Sequence, residues 1–181
     1  MNENFFLEML KLGKIRIEDG QIIIFNATNL LFPTRSFLYL RKVILEKLGK
    51  TKCNEILKEI GKFQIRQALV RYSKMFKVEE MTVDKFREMW IKIASLLGYG
   101  KVEFSEKKAI AKNNPIAQEY LLMFGKSPEP IDSYLCGMAE ESYRALLGKP
   151  VEVKETKCIA CGDPYCQFEV FPAEEKKETK T

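Results

Sequence analysis

No histidine occurs anywhere in the 181 residues. That absence removes every histidine-based catalytic triad and general base, histidine-ligated haem and Cys₂His₂ zinc sites. Any metal must be held by Cys, Asp or Glu, and any acid–base chemistry must fall to Glu, Asp, Lys, Tyr or Cys. Long apolar runs are also lacking. The longest unbroken one is Tyr120-Leu-Leu-Met-Phe124, far short of the ~20 residues that span a bilayer. The N-terminus, Met1-Asn-Glu-Asn-Phe-Phe-Leu-Glu, carries acids where a secretion signal needs a basic region and an apolar stretch. A soluble, cytoplasmic protein is expected. There is no internal repeat, no phosphate loop and no Gly-x-Gly-x-x-Gly; Gly98-Tyr-Gly100 lacks the third glycine of a dinucleotide-binding turn.

What is present suits a globular chain. Hydrophobic residues make up 46% and charged residues 30%, which is enough to bury a core. The net charge is +5, yet the lysines alternate with Glu, as in Glu55-Ile-Leu-Lys58-Glu59. This pattern reads as a solvated, ion-paired surface rather than a nucleic-acid stripe, and it hints at a thermophilic source. The most basic stretch, around Arg66 and Arg71, is interleaved with core-like Ile65, Leu69 and Val70, so an ordinary amphipathic helix explains it.

The elements follow from periodicity and punctuation. A short helix over Phe5–Leu12 ends at Gly13. A hairpin turns at Asp19-Gly20, between Lys14–Glu18 and Gln21–Phe25. Pro33-Thr34 opens a helix that Gly49 closes, with Leu38, Val43 or Ile44, and Leu48 inward. A long helix over Lys52–Phe76 has Ile56, Ile60, Phe63, Ala68, Leu69 and Tyr72 at helical spacing, and Thr82 caps a third. Strands are expected over 101–104 and 108–112, then a turn at Asn113-Asn114-Pro115, a short helix to Phe124, and a last helix from Ser127-Pro-Glu-Pro130 to Gly148. Two further strands, from Val151 and from Gln167, flank a cysteine-bearing turn. The layout is α+β, an antiparallel twisted sheet packed against several long helices. A single domain is expected over 1–172, with a charged, disordered tail over 173–181.

Three of the five cysteines fall in one hairpin turn, Glu155-Thr-Lys-Cys158-Ile-Ala-Cys161-Gly-Asp-Pro-Tyr-Cys166. A redox dithiol would start a helix at its first cysteine, whereas here a strand precedes and Gly-Asp-Pro follows. A disulfide needs an oxidising compartment or a hyperthermophile. A metal, zinc above all, fits three cysteines and a glutamate in a tight turn. Asp132 and Cys136, four residues apart, could each complete a tetrahedron. Cys53 reads as a packing residue.

The stretch Leu147-Gly-Lys-Pro-Val-Glu-Val-Lys-Glu155-Thr-Lys-Cys158-Ile-Ala-Cys161-Gly-Asp-Pro-Tyr-Cys166-Gln-Phe-Glu-Val resembles the closing signature of the 4-vinyl reductase domain family. The signature is a helix ending in Gly, a strand, Glu-x-x-Cys, a Gly-containing turn and Cys-x-Phe. The likeness is specific from Pro130 to Pro172 and one of layout before that. Similar domains occur in a bacteriochlorophyll-pathway protein, in the sensing part of phenol-responsive transcription activators and as free-standing archaeal proteins. The fold is similar to that of the Bet-type subunits of the TRAPP tether. In the aromatic-sensing relatives the resemblance implies a zinc site beside the ligand pocket, its glutamate falling on Glu155 and two of its cysteines on Cys158 and Cys166. The remaining ligand, a cysteine there, aligns onto Asp132 here, with Cys136 and Cys161 as alternates. Those sensors hold the phenol hydroxyl with a histidine, which points away from phenol as the ligand of a histidine-free chain.

These observations lead to a small-molecule-binding module of the sensor type, with a structural zinc and a small hydrophobic or aromatic ligand. The pocket is expected between sheet and helices, drawn from Phe86, Trp90, Tyr120, Met123, Phe124, Tyr134 and Met138. Output would pass through a separate protein. A homodimer is expected because Phe37, Leu38, Leu40, Val43 and Ile44 wrap too widely for one packing partner. The competing readings are a reductase-type enzyme of tetrapyrrole or hydrocarbon metabolism, for which no hydride-donor motif is seen, a protein–protein adaptor, and a nucleic-acid-binding zinc protein.

Overall fold

The computed structural model describes residues 3–77 and 80–173. The charged tail expected from Ala173 onward lies, apart from Ala173 itself, outside the described residues.

The N-terminal part is α1 (Glu3–Lys11) followed by β1 (Ile15–Glu18), β2 (Gln21–Ile24) and β3 (Ala27–Asn29), a three-stranded antiparallel meander. The Asp19-Gly20 turn forms as read, with both residues left-handed. A second two-residue turn, Phe25-Asn26, brings in the third strand and also has positive φ at both positions. It contains no glycine and escapes a sequence reading. Phe25 tolerates the strain because its ring is 1% exposed and packs edge-on against Tyr72 and Phe76 at 5.4 and 5.6 Å.

α2 (Thr34–Phe76) is bent at Gly49, whose φ of 79° and ψ of 168° break the helical path where the sequence places a stop. Beyond the bend its buried stripe is Cys53, Leu57, Gly61, Ile65, Ala68 and Tyr72. Ile60, Phe63 and Leu48, expected inward, are exposed. The stripe is rotated toward the small residues because Gly61 lies at a close approach to α5 (Ser133–Leu147). α3 (Val83–Leu96) is capped by Thr82, whose hydroxyl accepts from the Lys85 N–H at 3.3 Å.

The second sheet has order β4-β5-β7-β6, from β4 (Lys101–Phe104), β5 (Lys108–Lys112), β6 (Val151–Lys157) and β7 (Cys166–Pro172), all antiparallel. α4 (Pro115–Phe124) comes between β5 and α5 in the chain. α5 starts later than the Ser127 expected. Pro128 and Pro130 hold the preceding segment extended, Ser127 N–H donates to the Ala160 carbonyl at 2.8 Å, and Asp132 is the true cap.

α5 packs on α2 and on β6 and β7, so it is buried on two sides. This explains why Glu140 and Glu141 are buried on it. Glu140 accepts from Lys58 Nζ at 2.6 Å and from the Val153 N–H at 3.1 Å, and it also pairs with Lys62. Burial would raise its pKa, but these donors outweigh burial and hold it below the usual carboxylate range. A depressed carboxyl pKa stabilises the fold above the unfolded value of about 4.3, and the gain disappears as pH falls through the folded value. Glu140→Gln should therefore cost about 2 kcal/mol at pH 7, and its deficit against the parent should shrink from pH 5 to pH 3 in urea unfolding. A deficit constant with pH would place the loss elsewhere.

Candidate metal centre and adjoining cavities

The end of β6 and the turn to β7 build the centre. Val151 and Val153 point inward by strand alternation, and Glu155 follows the same parity. A register shift between Glu155 and Lys157 then places Thr156 outside the ladder and directs the chain into the turn. Cys158-Ile-Ala-Cys161 makes one 3₁₀ turn, closed by left-handed Gly162, and Asp163 Oδ2 accepts from the Cys158 N–H at 2.8 Å. A side chain at Gly162 would meet Lys126, whose Cε and Nζ lie 3.1 Å from the site of a Cβ.

Glu155, Cys158 and Cys166 each offer a ligand atom within 4.8 Å of the others. Cys158 and Cys166 are fully buried. Asp132 adjoins them: its backbone N–H donates to Glu155 Oε2 at 2.8 Å. Its carboxylate accepts from Leu135 N–H through Oδ1 and from Asn114 Nδ2 through Oδ2, both at 3.0 Å. Asn114 Nδ2 also donates to Cys166 Sγ at 3.4 Å, as does the Ile159 N–H at the same distance. Asn114 thus joins the α4 cap to the cysteines. Sequence reading sees only a turn there, although Asn before Pro at the first helical position is a legible cap.

Cys136 lies one turn into α5, buried, with its pKa raised by burial and by the Glu155 and Asp132 carboxylates. Cys161 is half-buried beside Cys158, with its thiol pushed up to about 11 by burial and by Cys158. Neither belongs to the three-residue group.

Burial dominates the electrostatics. It raises Glu155 to about 9, with Asp132 and Cys158 adding to the rise, and Asp132 to about 6 against its two hydrogen-bond donors. A hydrogen bond from Cys166 draws Cys158 down to about 5, and Cys166 itself is raised. So four acids crowd one buried volume, with Arg41 as the cation acting on Asp132. Glu155 Oε1 is buried without a hydrogen-bond partner, although such atoms are nearly always paired. Two thiols, a carboxylate oxygen lacking a partner and no histidine fit zinc.

α5 also walls one of two small apolar cavities, of about 80 and 70 Å³. They share Ile65, Trp90, Ala94, Tyr99 and Met138 in their walls. An outer cleft of about 530 Å³ adjoins the first through Gln64 and Tyr99 and includes Tyr134. The Tyr99 hydroxyl lies 3.0 Å from both Gln64 Nε2 and the Tyr134 hydroxyl, and Tyr134 donates to Gln64 Oε1. Of the expected pocket residues, Trp90 and Met138 line the inner cavities and Tyr134 the cleft. Phe86 stacks on Trp90 at 5.4 Å, outside these walls. Tyr120, Met123 and Phe124 also lie outside them, on α4, where Tyr120 and Phe124 sit under Arg41 and Lys42 of α2. The aromatic stripe of α4 therefore serves helix packing. Gln64, Tyr99 and Arg71 are wall residues that sequence reading missed, since no motif marks a polar side chain in an apolar wall.

Residues 114–172 match the family model of the 4-vinyl reductase domain. An uncharacterised protein of Methanocaldococcus jannaschii is 26% identical over 157 residues, 76% of this chain and 97% of that protein. The fold is shared with the phenol-responsive sensory domain of the transcription activator PoxR, solved with phenol, at a TM-score of 0.76 and 19% identity over 97% of this chain and 92% of that one. A vinyl-4-reductase family protein from M. jannaschii superposes at a TM-score of 0.54 and 20% identity, covering 81% and 85% of the two chains. Subunit 3 of the trafficking protein particle complex of Naegleria fowleri, covalently bound to palmitic acid, gives 0.55 and 16%, covering 78% and 93%.

Proposed function

The resemblance to the 4-vinyl reductase domain family holds in both sequence and fold, and that to TRAPP subunits in fold; from it we propose that this chain is a binding module for a small hydrophobic or aromatic molecule. A zinc ion held by Glu155, Cys158 and Cys166, with Asp132 as fourth ligand, would brace the wall of the pocket. The observation that carries this reading is the juxtaposition of the orphaned Glu155 Oε1 and two buried thiols with apolar cavities walled by α5. The match to the PoxR sensory domain along nearly the whole chain supports the sensor type. Zinc in a site of thiolates and carboxylates contributes folding energy, and the cavities favour holding a molecule with few polar atoms.

Among the described residues no helix is long and apolar enough to cross a membrane. The arginines of the basic stretch are engaged within the fold: Arg66 pairs with Glu59 and Glu141, and Arg71 lines a cavity. This supports a small molecule rather than nucleic acid as the partner. Leu30, Leu31, Tyr39 and Leu40 are exposed, an apolar surface suited to a second copy in a cytoplasmic homodimer, with output passing to a separate protein.

Native mass spectrometry of protein purified without chelator tests the whole reading. About one zinc per chain, a dimer mass and a retained or added small apolar molecule are expected. Metal-free protein that takes up no aromatic, terpenoid or fatty-acid probe would refute it.

A further inference from the structure

We propose that the inner cavities take an apolar molecule bearing a carboxylate, with Arg71 as the counter-ion of its acid group. This rests on the ligand-binding reading above and narrows the ligand class.

Arg71 lies on α2 in the wall of the 80 Å³ cavity. Its Nε is buried and has no hydrogen-bond partner. Among the described residues Arg71 forms no ion pair, whereas Arg16, Arg35, Arg66, Arg87 and Arg144 each pair with a carboxylate. Neither inner cavity has an Asp or Glu in its wall. A buried guanidinium donor without an acceptor is costly, and the acceptor that matches its planar fork is a carboxylate.

The surroundings give the ligand a direction. Arg71, Gln64 and Asn29 belong to the first cavity and are absent from the wall of the second. The second adds Phe104 and Phe168 from the four-stranded sheet. The acid would sit at Arg71, within the region of the Gln64–Tyr99 hydrogen bond, and the apolar body would run past Trp90 and Met138 toward the sheet. An apolar cavity of about 150 Å³ accepts a benzene-sized molecule, so two adjoining voids of 80 and 70 Å³ suit a short aliphatic or monocyclic aromatic acid.

The test compares matched head groups on the full chain by isothermal titration at about pH 7.5, where a carboxylic acid is ionised and Arg is charged: benzoate against benzyl alcohol, and hexanoate against 1-hexanol. Each acid should bind at least tenfold more tightly than its alcohol. Arg71→Gln should bring the acids to the affinity of the alcohols and leave the alcohols within twofold, and Arg71→Lys should recover part of the preference. Alcohols binding as well as acids would overturn the carboxylate assignment while leaving the ligand-binding reading standing. An acid preference unchanged in folded Arg71→Gln protein would remove Arg71 from the site. Binding of neither class would overturn both this inference and the reading beneath it. The head-group comparison on the unaltered chain decides even if Arg71→Gln does not fold.

Discussion

Gly137→Val should yield no folded protein, and Gly137→Ala should lose about 4 kcal/mol or more of stability, the range reserved for severe steric disruption. A Cβ on Gly137 would stand 2.0 Å from the Lys58 carbonyl oxygen and 2.8 Å from its carbon. On the facing helix, a Cβ on Gly61 would stand 2.1 Å from the Tyr134 oxygen. The two glycines therefore mark a crossing of α2 and α5 in backbone contact. Relief requires the helices to part by roughly an ångström, which a close-packed interior resists. α5 cannot retreat, because β6 and β7 pack on its other side and Asp132 at its N-terminus is tied to Asn114 and Glu155. Gly148→Ala is the control. Its backbone is left-handed at φ +66°, but nothing lies within 4 Å of an added Cβ, so it should cost only about 1 kcal/mol. Chemical denaturation of the two alanine variants side by side checks the contrast, and equal losses would mean that the crossing yields easily.

The same crossing shows where sequence reading succeeds and where it stops. Strands over 101–104 and 108–112 and the Asp19-Gly20 hairpin are legible because alternation and turn chemistry are local. The stripe of the long helix is not. Hydrophobic spacing selects large side chains such as Ile60 and Phe63, while the close approach selects Gly61, which carries no hydrophobic signal. The division into two sheets is hidden for a related reason. The Phe25-Asn26 turn is held left-handed by tertiary packing of the Phe25 ring rather than by a turn glycine.

At the candidate site, the Glu-x-x-Cys spacing and the family likeness bring Glu155, Cys158 and Cys166 to notice, and the chain does place them together. Asp132 reads in the sequence as a helical neighbour of Cys136. It is the cap of α5, and its place beside Glu155 depends on a backbone N–H that no spacing reveals. Asn114 and Arg71 are invisible as site residues because each becomes significant only through groups far away in sequence.

Cys158→Ser should abolish zinc retention and lower the melting temperature by roughly ten degrees or more without unfolding the chain. Structural zinc contributes roughly 10 kcal/mol or more to the folding of small finger peptides. Such peptides have almost no other core, whereas here the α2–α5 crossing and the Phe104–Tyr143 stack at 4.2 Å hold the rest together. The loss should therefore be a fraction of that figure, about 3 to 5 kcal/mol, which moves the midpoint of a chain this size by roughly ten degrees or more. Its location should be specific. Glu155, Asp132 and Asn114 link β6, α5 and α4 through this one centre. Hydrogen exchange should then quicken in residues 155–168, in the first turn of α5 and in the first turn of α4, leaving the β1–β3 meander unchanged. Cys161→Ser, at a half-buried position outside the three-residue group, should keep the metal. Elemental analysis and exchange on both variants decide the matter: loss of zinc from Cys161→Ser but not from Cys158→Ser would invert the ligand assignment, and a Cys158→Ser protein with unchanged stability would mean that the metal does not brace the fold.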